Sequence, residues 1–197
     1  MKVLGVGYPR TGTKTLGGCF RVFGYRNASW DAEIYEKYLR DDIEGILQYA
    51  TEFDSFEDLP WCSIYKEFDE RFSGSKFILT LRKDEQTWYQ SYRTHEYFLV
   101  REEYLPLSGP LYESSMSLYR DHNRNVREYF RDRPDDLLKV CWEDNHGWAE
   151  LASFLNEPIP EVEFPHRNRT PPSRVDRLHE IYLRRAGNAD AGPRKAP

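Results

Sequence analysis

No apolar run in the sequence approaches the ~20 residues that a membrane-spanning helix requires, so no membrane span is expected. The apolar start, Met1 to Val6, breaks at Gly7-Tyr8-Pro9-Arg10 and does not read as a signal peptide. A cytoplasmic location is therefore expected by elimination. Cysteine is scarce: Cys19, Cys62 and Cys141 are three in number and far apart. They offer neither a disulfide framework nor metal-ligand spacing, and read as reduced, buried thiols. Positive charge is not in excess either, with 28 Lys and Arg against 33 Asp and Glu for a net charge of -5. That excludes the basic surface of a general nucleic-acid binder but not a local basic pocket for a small anion. Repeats and low-complexity linkers are missing from residues 1–186.

What the sequence does hold is aromatic residues, 15% of the chain, which supply burial and could line a pocket. The 197 residues suit one domain over 1–186, followed by a frayed tail at 187–197. Lys2–Gly7 reads as a buried strand. Leu16, Phe20 and Phe23 lie at helical spacing in a helix from Thr13, stopped by Gly24. A charged helical stretch over residues 30–50 and a short strand at Thr51–Phe53 follow. Trp61–Phe72 reads as an amphipathic helix, Lys76–Leu81 as a buried strand, and Asp84 as the cap of a helix reaching Val100. Residues 101–113 read as a loop, Ser114–Arg131 as a helix, Leu137–Trp142 as a strand and Trp148–Leu155 as a helix. A proline-rich extended stretch and a last helix at Pro172–Ala186 complete the pattern. Strands separated by helices predict a three-layer α/β/α fold with a central, mainly parallel sheet. Ligands in such sheets sit beyond the carboxyl ends of the strands.

The first such end carries Gly7-Tyr8-Pro9-Arg10-Thr11-Gly12-Thr13-Lys14-Thr15. Backbone N–H groups of a glycine-containing loop and of a helix start converge on one point and hold an anion there. A nucleotide-binding Walker loop needs Lys directly after its second Gly, and here Thr13 intervenes. A dinucleotide fingerprint needs a third Gly where Arg10 stands. An ordinary turn would use the Gly and Pro, but has no need of Arg10, Thr11, Thr13, Lys14 and Thr15 together. A second candidate is the pair Arg82, at a strand end, and Ser91, about two turns into the next helix. A guanidinium fork and a hydroxyl suit a terminal phosphate, although Arg82 could equally pair with Asp84 or Glu85.

The loop resembles the 5'-phosphosulfate loop of sulfotransferases that use PAPS (3'-phosphoadenosine-5'-phosphosulfate), in the variant with Pro9-Arg10-Thr11-Gly12-Thr13 found in a branch of small sulfotransferases. Arg82 and Ser91 resemble that family's 3'-phosphate pair. Glu143, the helix to Asn156 (where Gly is usual) and Phe164-Pro165-His166 resemble its closing section. The resemblance implies that PAPS is held by Arg10, Thr11, Gly12, Thr13, Lys14, Thr15, Arg82 and Ser91, with Arg167 and Arg169 as further basic residues near the C-terminus. It implies Arg10 and Lys14 as stabilisers of the leaving group, and no metal. Relatives place a His just before Leu-Pro as the base that takes the acceptor's proton. Asp58 stands there in Phe56-Glu57-Asp58-Leu59-Pro60, and this branch has Asp at that place. Asp58 could instead belong to a capping arrangement with Ser55. Glu33 and His95 are reserve bases, and Trp88 reads as packing. The expected reaction is in-line transfer of a sulfuryl group from PAPS to a hydroxyl or amine of a small-molecule acceptor. The segment Phe98–Met116 is expected to cover that acceptor. The alternative is a nucleotide or small-molecule kinase using ATP and Mg. No nucleic-acid or membrane partner is expected, and the oligomeric state, a homodimer included, is left open.

Overall fold

The computed structural model describes residues 1–99, 105–106 and 108–165, the side chains of 96–99 excepted. Five strands, β1 (Val3–Gly5), β2 (Asn27–Ala28), β3 (Ser55–Phe56), β4 (Lys76–Leu81) and β5 (Leu137–Cys141), form one sheet in the order β2-β3-β1-β4-β5. Every pairing is parallel, so each strand must be reached by a crossover, as the alternation of elements predicts. The chain moves to one side of β1 for β2 and β3 and to the other for β4 and β5. The crevice at the carboxyl ends of β1 and β4 is therefore the switch point at which such sheets bind ligands.

Side-chain alternation along the strands builds two cores. Val3, Ile78 and Val140 face α1 (Thr13–Val22) and α7 (Trp148–Leu155), packing with Leu16, Phe20, Leu151 and Leu155. Their neighbours Leu4, Phe77 and Leu79 face the other way. They pack with Ile34 of α2 (Ala32–Leu39), Ile46 of α3 (Ile43–Tyr49), Phe68 of α4 (Tyr65–Arg71) and Phe130 at the end of α6 (Pro110–Tyr129). A third cluster lies between α5 (Glu85–Leu99) and α6, where Trp88 stacks on Tyr119 with centroids 4.5 Å apart.

Local physics accounts for most departures from the expected elements. The stretch 30–50 holds two helices because Asp41 turns left-handed (φ 61) and Asp42 starts a new helix by accepting Gly45 N–H at 2.9 Å. Residues 50–52 form a 3-10 turn, and the strand expected at Thr51–Phe53 falls instead at Ser55–Phe56. Trp61–Phe72 is a 3-10 turn followed by α4, broken at Ile64. Pro110, expected in a loop, occupies the first turn of α6, where its missing N–H has no helical acceptor to lose. Asn156 adopts a left-handed conformation (φ 56) after α7, a role in which Asn substitutes for Gly. Among the described residues no helix is long and apolar enough to cross a membrane. The expected last helix, the tail at 187–197, His166, Arg167 and Arg169 lie outside the described residues.

Candidate functional site

Gly7–Thr15 joins β1 to α1 at the switch point. Gly7 lies so close to β4 that a Cβ there would overlap the Thr80 hydroxyl. The Thr11 hydroxyl is buried, 2.7 Å from Tyr8 O and 2.6 Å from Thr80 Oγ1, so it locks the loop to β4 rather than facing the crevice. Trp88 Nε1 donates to Pro9 O at 2.9 Å and His122 Nε2 lies 2.7 Å from Val6 O, fixing the loop from outside. Gly12 has φ +89 with Trp142 against it, so a side chain would be strained by the backbone and would overlap the indole.

The start of α1 is left open. It has no side-chain cap and no acidic residue in its first turn. Thr15 and Leu16 N–H return to Gly12 O at 3.0 and 3.2 Å, leaving the N–H groups before them as the positive end of the helix. Thr15 itself is buried.

Arg10 is the conformational exception. Among the described residues five non-glycine residues have positive φ, and the other four are Asp or Asn, which tolerate that region. Arg10 (φ 76) has no such excuse, and its strain, of order 1–3 kcal/mol, is held by surrounding contacts. Arg10 Nε donates to Ser91 Oγ at 3.3 Å, and Arg82 Nη1 donates to Arg10 O at 3.4 Å. Arg10 thus bridges the two residues expected to meet, Arg82 and Ser91. Burial and then the like charge of Arg82 push the Arg10 guanidinium below its ordinary value, against the pull of Asp58. Arg10 and Arg82 thus bring like charge together at the crevice, which raises the local positive potential there.

The carboxylate that holds Arg82 is neither of those expected. Glu85 pairs with Arg120 and Asp84 caps Thr87 N–H at 2.6 Å. Arg82 Nη2 pairs with Glu143 Oε1 at 2.6 Å, while Glu143 Oε2 accepts Lys83 N–H at 2.9 Å. A groove of about 550 Å³ opens beside this cluster, lined by Arg82, Lys83, Tyr119, Asn123 and Arg127. The loop residues do not line it, so Arg82 is shared between groove and site.

Lys14 faces the opposite surroundings. Its ammonium donates to Ser29 Oγ and lies 3.4 Å from Asp58 Oδ2 and 3.9 Å from Glu57 Oε1. Asp58 also has φ 76, precedes the cis Leu59-Pro60 bond, and accepts Leu59 N–H at 3.0 Å and the Thr13 hydroxyl at 3.4 Å. The capping arrangement with Ser55 is absent, because Ser55 Oγ donates to Asn27 Oδ1 at 3.0 Å. Glu57 is wholly buried, and burial pushes its carboxyl up to about 7 against the pull of Ser29 and Lys14. Glu33 is exposed on α2, and His95 lies along α5.

Sequence reasoning missed Glu57, Glu143 and His122 as parts of this site. Glu143 had a signal in its position directly after β5, and Glu57 in its adjacency to Asp58. His122 had none, since it reaches Val6 from a helix far along the chain.

In this α/β protein a strand, a loop and an uncapped helix start meet at the carboxyl ends of β1 and β4, flanked by arginines on one side and a Lys–carboxylate cluster on the other. The chain belongs to the sulfotransferase family, matching the sulfotransferase domain over residues 2–108 and 108–171. It is similar to the Ava biosynthesis cluster protein M of Aspergillus versicolor, at 26% identity over 84% of this chain and 80% of that protein.

Proposed function

We propose that the chain transfers a sulfuryl group from PAPS to a hydroxyl or amine of a small-molecule acceptor. The observation that carries this reading is the convergence of Arg10, Arg82 and Ser91 beside the open start of α1. A helix start binds one phosphate-like group; a second basic cluster a short distance away calls for a second, which PAPS carries on its 3'-oxygen. PAPS supplies the sulfuryl group and a phosphate as its leaving partner. The loop N–H groups, Gly12, Thr13 and the Lys14 ammonium hold the phosphosulfate end, and Arg10 reaches across it. Arg82, oriented by Glu143, and Ser91 hold the 3'-phosphate. Thr11 and Thr15, both buried, shape the loop. Arg10 and Lys14 neutralise charge that develops on the leaving oxygen, from positions set before reaction. Asp58, partly exposed at the crevice and 3.4 Å from Lys14, takes the acceptor's proton. We place Arg167 and Arg169 as further contacts to the donor, following the family resemblance. In this reading the enzyme works without a metal and within one domain over residues 1–186.

Calorimetric titration tests it. Adenosine 3',5'-bisphosphate should bind without Mg, and ATP with Mg should bind at least tenfold more weakly. The reverse order would identify a kinase.

A further inference from the structure

Glu57 is an unusual group for this fold to hide. Its side chain is 0% exposed and neither carboxylate oxygen has a hydrogen-bond partner. The space it fills exists because Gly17 of α1 lacks a side chain: a Cβ there would lie 2.6 Å from Glu57 Oε1. Gly5 of β1 makes room on another side, where a Cβ would meet Glu57 Cβ at 3.2 Å. Two glycines and a buried strand end thus enclose a carboxylate. An unpaired buried charge costs several kcal/mol, so it needs a cation or a proton.

The charged and titratable groups facing it are few. α1 presents Lys14, the preceding loop presents nothing titratable, Asp58 adjoins it, and Cys62 lies in the turn beyond. From the β2 side come Asn27 and Ser29, whose dipoles help the carboxylate without reaching hydrogen-bond geometry. Lys14, at 3.9 Å, is therefore the cation that balances Glu57 among the described residues. Asp58 differs: it keeps the Leu59 N–H and the Thr13 hydroxyl whether or not Lys14 is near.

We propose that Glu57 is a positioning residue that holds Lys14 while the donor site is empty and takes up a proton when Lys14 moves onto the donor, so that donor binding is coupled to protonation of this buried carboxyl. The inference rests on the donor reading above. The balance is simple: one proton from solvent joins the Glu57 carboxylate, and the Lys14 ammonium keeps its own charge and exchanges a carboxylate partner for the donor's phosphate. Its consequence is a donor site that closes with rising pH. Below about pH 7 the Glu57 carboxyl already carries its proton and binding takes up none; above about pH 7 it is ionised in the free protein and must regain the proton on binding. Affinity then falls by up to ~tenfold per pH unit.

The test is titration calorimetry of adenosine 3',5'-bisphosphate into the full chain at pH 8, in buffers of different ionisation enthalpy. At that pH the ligand's phosphates, with a second pKa of about 6, are already deprotonated. We expect uptake approaching one proton per ligand in the wild type and in Asp58→Asn. Uptake should vanish in Glu57→Gln. It should also vanish in Lys14→Met, where Glu57 lacks its cation before and after binding; this second variant decides the matter if Glu57→Gln does not fold. Binding without proton uptake in the wild type overturns the inference alone, as does uptake that survives in either Glu57→Gln or Lys14→Met. Loss of uptake in Asp58→Asn assigns the proton to Asp58 and also overturns it. Absence of any bisphosphate binding to the wild type overturns the donor reading, and the inference with it.

Discussion

Arg10 and Lys14 stand on the same loop, yet their surroundings have opposite sign. Arg10 lies against another guanidinium and a hydroxyl, with Arg82 restrained by Glu143 on its far side. Lys14 lies against two carboxylates and a serine. The first sets two guanidiniums against one carboxylate, so it keeps net positive charge that favours an anion. The second already gives its cation carboxylate partners and must be rearranged before Lys14 can serve an anion. Binding strength should therefore reside at the arginine end, and chemistry and pH dependence at the lysine end.

Substitutions that split the two ends sharpen this contrast, beginning with the largest effect. Asp58→Asn should lower turnover by ~10²–10⁴-fold while leaving bisphosphate affinity within a few-fold of wild type. Steady-state rates with a sulfated acceptor found by screening against radiolabelled PAPS check this; unaltered turnover removes Asp58 from the mechanism. Gly12→Ala should cost about 2–6 kcal/mol, from ~1–3 for the left-handed backbone and ~1–3 for overlap with Trp142. Urea unfolding reads that loss, and a midpoint equal to wild type would show that the loop is not held as described.

Glu57 makes a prediction about stability as well. Its folded carboxyl titrates near 7, above the ordinary value of 4.5. The folded state then binds more protons than the unfolded between those values, so its contribution is favourable at low pH and is lost as pH rises toward 7. Glu57→Gln should match wild type near pH 4.5 and exceed it at pH 8 by up to about 3 kcal/mol. Denaturation at the two pH values measures this, and a variant weaker at pH 8 than at pH 4.5, relative to wild type, contradicts it. At the arginine end, Glu143→Gln should weaken bisphosphate binding by about 1.5–3 kcal/mol, the range for a charged hydrogen bond, without moving the pH profile. Ser91→Ala should do the same by about 0.5–1.5 kcal/mol. If either shifts the pH profile as Glu57→Gln does, the two ends are not separate.

How much of this was legible in the sequence follows sequence separation. Lys76–Leu81 was readable to the residue because five successive apolar or β-branched positions, Phe77 to Leu81, between turn signals allow little else. The loop was readable because its strand, glycines and helix are contiguous. The stretch 30–50 is helical as expected, but its division into two helices was hidden, because continuous helix propensity masks a single left-handed Asp41. Asp58 could be picked out by its place before Leu59-Pro60. Its coupling to Lys14 could not, and neither could the Arg82–Glu143 pair, because each depends on strands brought side by side by the sheet order.

The central claim is that the arginine end reads a 3'-phosphate. It is tested most directly by titrating wild type and Arg82→Gln with adenosine 3',5'-bisphosphate and with adenosine 5'-phosphate, which lacks that group. The account predicts that wild type prefers the bisphosphate by at least tenfold and that Arg82→Gln loses most of the preference while binding the monophosphate as before. Equal binding of both ligands by wild type, or an unchanged preference in Arg82→Gln, would contradict it.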